Sequence, residues 1–279
     1  MPVLTYTLSS LDRFVKTVLS IRDRWQQAND AADADARNRG DEDAVNGPLQ
    51  IWFRGQANSQ WKLVPQLYRL KEPNENEIRT EYELRGMQLI PEGRVPKDSK
   101  EWYFLMQHFR APTRLLDWTD AALIGLYFAV KGQNGHANSA VWMLDPDRLN
   151  AELMRKVDPN NYTSGVLLPD WSEISPWFPD PFEEPLLVGL PIAIGPPHVN
   201  RRLSVQRGRF TIHGKSKRGL DVIAARLPRV RLCKLLIPRD VGRKVLTDLS
   251  TCGIVETSVF PDLEGLAREV TTKWTRMKI

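Results

Sequence analysis

Gln107–Val130 reads Q-H-F-R-A-P-T-R-L-L-D-W-T-D-A-A-L-I-G-L-Y-F-A-V. Between Gln107 and Thr119 stand a His, two Arg, an Asp and two Thr, and a strongly apolar run, Ala121–Val130, follows at once. Upstream, Trp102, Leu105, Met106 and Phe109 recur at helical spacing, which predicts a helix over Glu101–Phe109 with one buried face and His108 off that face. Pro112 ends that helix and pushes Ala111 toward extended geometry. Thr119 is placed to cap a second helix. Its apolar residues run all round, so it is expected to be central and fully buried. Polar chemistry at the mouth of a core helix marks this stretch as a candidate site.

Working outward, Ile51–Arg54 predicts a compact strand ending at Gly55. Ala140–Leu144 predicts another, closed by Asp145-Pro146. Toward the N-terminus, Val3–Tyr6 reads as a short strand. Ser9-Ser10 caps a helix whose apolar face is Leu11, Phe14, Val15, Val18 and Ile21. Residues 28–48 are rich in Ala, Asp and Asn without apolar periodicity, and are expected to be a mobile loop or insertion. Residues 71–77 read as a polar loop and Ile78–Ile90 as a helix stopped by Pro91. Residues 156–185, rich in Pro, Trp, Asp and Asn, read as a long loop that can cover a site.

Further on, short strands are expected at Pro191–Ile194, Leu203–Gln206, Phe210–Ile212, Arg231–Ile237 and Val255–Val259. Helices are expected near 240–252 and after Pro261-Asp262-Leu263. No internal repeat or linker is visible. The expectation is a single α+β domain, with helices gathered in the first half and strands in the second, packed as a mixed, mostly antiparallel β-structure. Residues 1–50 supply an N-terminal strand, helix and loop to the same domain as residues 51–279.

A chain of 279 residues can bury a core of ordinary size. The net charge of +5 and pI near 9.2 permit an anionic partner such as nucleic acid or a nucleotide. The basic residues cluster at 200–218 and 225–234. Cys233 and Cys252 have no metal-ligand spacing, and the four His are scattered, so no metal site is expected. The longest apolar run is too short to span a bilayer and the first residues are not a signal peptide, so a cytoplasmic protein without membrane contact is expected. There is no Walker loop, GxGxxG or GxSxG.

Several side chains are candidates for function. Arg54 has a fork of donors suited to phosphate, beside a Gly that permits close approach; its bland alternative is a pair with a buried Asp. His108 can titrate near neutrality, Thr113 can hydrogen-bond, and Trp118 can stack. Arg114 and Asp117 are near enough in sequence to pair with each other. In the stretch Arg201–Phe210, Gln206 can present an amide to a ligand hydroxyl, while the Arg residues, Arg202 among them, contact an anion or face solvent.

Three pieces, F-R-G-Q at 53–56, Q-H-F-R-A-P-T-R-L-L-D-W-T at 107–119 and Q-R-G-R-F at 206–210, with L-Y-F-A at 126–129 and F-P-D-L-E-G-L-A at 260–267, resemble the bacterial FRG-domain family. On that resemblance residues 51–279 form the FRG domain. The order of elements is also similar to the ADP-ribosyltransferase superfamily: a strand ending in Arg-Gly, a short strand (Leu115–Thr119) feeding an apolar helix, then a further strand. That likeness implies a site in which Arg54, His108, Asp117 and Gln206 are catalytic and Gln56, Thr113, Arg114, Trp118, Thr119 and Arg202 contact the substrate. It implies NAD as substrate or ligand, with no tightly bound cofactor. Gln206 stands where the superfamily has a Glu, so Asp117 or another acid is needed to stabilise a cationic ribose. The resemblance further implies a toxin or effector in phage defence. Two other functions remain open on the residues: a nucleic-acid-binding module, from the basic run and the abundant Trp, and a ligand-sensing or protein-interaction domain.

Overall fold

The computed structural model describes residues 3–40, 47–91, 95–133, 136–157, 165–168, 172–178, 189–195, 205–227 and 229–275. Its strands are β1 (Leu4–Thr7), β2 (Trp52–Gln56), β3 (Leu115–Thr119), β4 (Ser139–Leu144), β5 (Ile192–Ile194), β6 (Gly208–Ile212) and β7 (Leu232–Ile237). They form one sheet in the order β1-β7-β4-β2-β3-β6-β5. Among these strand pairs of the described residues, β1–β7 is parallel and the rest are antiparallel. The helices are α1 (Leu11–Asn38), α2 (Glu75–Gly86), α3 (Ser99–His108), α4 (Ala122–Lys131), α5 (Pro146–Val157), α6 (Leu220–Ala224), α7 (Gly242–Thr251), α8 (Glu256–Val259) and α9 (Leu263–Thr275). The fold is α+β, with helices on a mixed, mostly antiparallel sheet. No described helix is long and apolar enough to cross a membrane.

Strand alternation splits the core into two layers. In β4 every residue is buried. Trp142 and Leu144 pack in the layer with Trp52, Tyr103, Phe104 and Trp118. Val141 and Met143 pack in the opposite layer with Phe53, α4 and α7. A strand covered on both faces needs no polar side.

The same alternation explains the Phe53-Arg54-Gly55 triplet. Phe53 faces α4, Arg54 faces the other way, and Gly55 faces α4 again. A Cβ on Gly55 would lie 2.2 Å from the Gly125 oxygen and 2.5 Å from the Ala129 nitrogen, so only Gly lets helix and strand meet. Gly125 returns the constraint, since a Cβ there would sit 2.8 Å from the Phe53 Cβ.

The sheet has a seam. β2 pairs with β4 through five residue pairs and β3 pairs with β6 through five. Between β2 and β3 there is one pair, Phe53↔Thr119. Beyond it the two strands part, leaving main-chain groups of β3 without a ladder partner.

Several expectations are corrected. Helices and strands interleave along the chain instead of gathering in separate halves. Residues 28–38 are not a loop: α1 runs on to Asn38, while 41–46 lie outside the described residues. Its continuation buries Asn29, Asp33 and Ala36, so the buried stripe there is largely polar. Asn29 Oδ1 accepts from Arg148 Nη2 and Arg231 Nη1, each at 2.9 Å. α2 starts at Glu75, inside the stretch expected to be loop, because Asn74 caps it, and it ends at Gly86. Val255–Val259 is not a strand; Ser258 bonds back to Val255 and winds α8. Gln206 lies in the turn that enters β6, not in a strand, and Leu203 is outside the described residues. Phe109 is 65% exposed rather than buried. Within 156–185 the described Ser172–Trp177 forms a 3-10 helix that buries Ile174 and Trp177 in the core.

Candidate functional site

A cleft of about 370 Å³ opens over the seam between β2 and β3. β2 contributes Arg54, Gly55 and Gln56; α3 contributes Phe104, Gln107 and His108; β3 contributes Asp117, Trp118 and Thr119; the turn into β6 contributes Gln206. On α3 the three cleft residues stand at i, i+3 and i+4, a face distinct from the one that carries Trp102 and Met106 into the core.

Arg54 reaches across the seam. Its Nη1 donates to the Asp117 main-chain oxygen at 2.5 Å and stands 3.8 Å from Asp117 Oδ2. It thereby supplies a donor to a carbonyl that the parted strand leaves unpaired. The guanidinium is largely buried. Burial pulls its pKa down to about 10, which the Asp117 carboxylate opposes and neighbouring Arg69 reinforces. Arg54 Nε has no hydrogen-bond partner among the described residues.

The Asp117 side chain is 60% exposed to the cleft and its orientation is fixed from behind. Gln107 Nε2 donates to both carboxylate oxygens at 2.9 Å. Gln107 Oε1 in turn accepts the hydroxyl of fully buried Thr113, and Thr113 Oγ1 accepts the Leu115 amide at 3.1 Å. A relay from main chain through hydroxyl and amide therefore sets the Asp117 carboxylate in the cleft.

The other groups divide clearly. Thr119 caps the turn instead of a helix: its hydroxyl donates to the Gln206 oxygen at 2.7 Å and accepts from the Ala121 amide, and α4 begins at Ala122 without a side-chain cap. Gln206 Nε2 donates to the Val259 oxygen at 3.1 Å, tying this wall to α8. Gln56 is buried with its Oε1 accepting from Trp142 Nε1 at 2.7 Å. Trp118 lines the cleft but is 3% exposed, with its indole N–H given to Thr211 Oγ1, so it walls the cleft and is no free stacking platform. His108 lines the cleft beside Phe109.

Arg114 is not in the cleft and does not pair with Asp117. It forms an ion pair with Glu75, with Nε donating to Oε2 at 2.6 Å. Tyr103 completes that cluster, donating to Glu75 Oε1 at 2.7 Å and accepting from the Arg114 amide at 2.6 Å. Arg202 lies outside the described residues.

The cleft also holds Trp61 and Arg69, which no sequence motif marked, and Arg110, Phe128 and Arg209 from the quoted motifs. Trp61 is 51% exposed and is the accessible indole of this wall. Arg110 takes a left-handed φ of 63°, uncommon for a side-chain-bearing residue, directly after α3. Arg207, on the opposite flank, has φ 49°. Asp120 pairs with both Arg207 and Arg209, the latter at 2.6 Å, and holds the entry to β6. Among the described residues four Arg thus line the cleft against one carboxylate, with aromatic walls. Among the described residues no cluster of His, Cys, Asp or Glu is arranged to hold a metal ion. The Cys233 thiol is buried, which raises its pKa to about 11 and keeps it out of nucleophilic chemistry.

Residues 49–138 match the family model of the FRG domain. These residues are an FRG domain. The FRG segment runs from the approach to β2 through α2, α3, β3 and α4 to the edge of β4. It holds Arg54, Gln107, His108, Thr113 and Asp117, so the relay and the arginine across the seam belong to it entirely. Gln206, Arg209 and Phe210, which close the other wall, lie beyond the matched residues. No curated protein and no solved structure gives a significant match.

Proposed function

We propose that the cleft binds NAD and that the protein cleaves its nicotinamide–ribose bond, as an ADP-ribosyltransferase or NAD glycohydrolase. The observation that carries this reading is the exposed Asp117 carboxylate, oriented by Gln107 and Thr113, facing four Arg and several aromatic rings among the described residues of the cleft. Arg54 and Arg69 suit the diphosphate. The ring walls suit nicotinamide and ribose. Gln206 gives one amide N–H to Val259 and has its carbonyl oxygen to offer a ribose hydroxyl.

In the reaction the C–N bond from ribose C1 breaks and its electron pair leaves with neutral nicotinamide. The cationic ribose is stabilised by Asp117, the role that the uncharged Gln206 cannot take. A hydroxyl of water or of an acceptor then adds to C1, and its proton passes to His108 or solvent. Such consumption of NAD suits a toxin or effector in phage defence.

Nicotinamide release from NAD tests this. Wild type is expected to release it, and Asp117→Asn to be slower by about 100-fold or more with NAD affinity nearly unchanged. Binding without release by the wild type, with or without nucleic acid present as acceptor, would reduce the protein to an NAD sensor. No binding and no release would remove the reading.

A further inference from the structure

Beside the cleft runs a second, open groove. Lys62, Lys217 and Arg218 line one stretch of it, and Lys156, Arg218 and Arg226 line the next, with Ser216 and Arg218 common to both. All five cations are exposed and, among the described residues, no carboxylate lines either stretch. None of the five has an ion-pair partner among the described residues. Arg209 of the cleft wall and its neighbour Arg207, by contrast, share Asp120. Asp221, on α6 next to the groove, directs Oδ1 to the Leu63 amide at 3.2 Å. The groove therefore carries an uncompensated positive potential suited to a polyanion.

The groove and the cleft share one wall, residues 61–64. Trp61 lines the cleft and Lys62 the groove. Arg69 lines the cleft and donates Nε and Nη2 to the Val64 oxygen at 2.9 and 2.6 Å, while Val64 lines the groove. The half-exposed indole of Trp61 stands on that wall.

We propose that the groove binds the sugar–phosphate backbone of a single-stranded nucleic acid and that a base crosses the wall by stacking on Trp61 at the cleft mouth. Consecutive phosphates would be met by the five cations. Stacking on an indole requires an unpaired base, which selects a single strand over a duplex. Binding of the strand stands on the groove alone. Its use as acceptor of ADP-ribose rests on the proposed NAD chemistry.

The test is fluorescence anisotropy of labelled oligo-dT and oligo-U of about a dozen nucleotides with the full chain, titrated over salt. The expected result is binding that weakens linearly in log–log terms with salt. Lys62→Ala, Lys217→Ala and Arg218→Ala combined should weaken it about tenfold or more and make the slope shallower by about 2, at about 0.7 per lost phosphate contact. These three residues are outside the cleft, so nicotinamide release without oligonucleotide should be unchanged in that variant. Trp61→Ala should weaken binding by about tenfold with the slope retained. Oligonucleotide binding that persists in Arg54→Ala while NAD binding is lost would separate the two ligands. Absence of binding at low salt, binding indifferent to the triple substitution, or equal binding of duplex DNA or poly-glutamate would each overturn the proposal.

Discussion

Arg54 Nη1 lies 2.5 Å from the main-chain oxygen of Asp117, across a seam where β2 and β3 share one residue pair. A buried side chain thus stands in for the missing ladder of the sheet, and the cleft exists because the ladder is missing. Burial also lowers the Arg54 pKa to about 10, so the fold carries this charge at a cost. Replacing it by an apolar side chain of similar length removes that cost but leaves the Asp117 carbonyl without its donor, so Arg54→Met is expected to lose about 1–2 kcal/mol, as urea denaturation would read. A loss of several kcal/mol would show the guanidinium to be structural first.

Gln107 acts through Asp117 and is a positioning residue. Gln107→Leu leaves the Thr113 hydroxyl buried without its acceptor and should cost about 1–2 kcal/mol of stability. It also releases the carboxylate from its fixed orientation. Turnover of NAD should fall about tenfold or more while NAD affinity changes little, so the signature is in kcat and not in KM. An equal effect on both would place Gln107 in ligand contact instead.

Gly55 is demanded by packing and not by backbone angle. Gly55→Ala would drive its Cβ into the Gly125 oxygen and the Ala129 nitrogen, both main-chain atoms that cannot rotate away. The expected destabilisation is about 3 kcal/mol or more, read by chemical denaturation. A change within experimental error would mean that α4 slides along β2.

His213 is fully buried, and neither ring nitrogen has a partner among the described residues. Burial, then the field of Arg54, lowers its pKa from 6.5 to about 3. The unfolded chain therefore takes up a proton near pH 6.5 that the folded protein refuses until about pH 3. Stability from this group is present above pH 6.5 and is lost progressively as pH falls toward 3. Between pH 7.5 and 5, wild type should lose about 2 kcal/mol relative to His213→Leu. A constant difference between the two across that range would contradict the assignment.

What the sequence made legible follows from which forces were apolar. The α4 run, the β4 run and the Phe53-Arg54-Gly55 strand are set by hydrophobic burial, and their periodicity survives in the residues themselves. The second half of α1 is not legible in that way, because its buried face is Asn29, Asp33 and Ala36, held by Arg148 and Arg231 from distant parts of the chain. Arg114 misled for a related reason: its partner Glu75 is 39 residues away, while Asp117 is near in sequence. Arg54 and Asp117 were candidates from their residue types, yet only the seam shows that they meet. Trp61 and Arg69 carried no motif, and tertiary contact alone brings them to the cleft.

The most direct measurement is calorimetric titration of NAD into the purified protein and into Arg54→Ala. Saturable binding by the wild type that is lost, or weakened by about 100-fold, in the variant is the predicted result. No binding to the wild type, or equal binding by both proteins, would contradict a nucleotide cleft organised around Arg54.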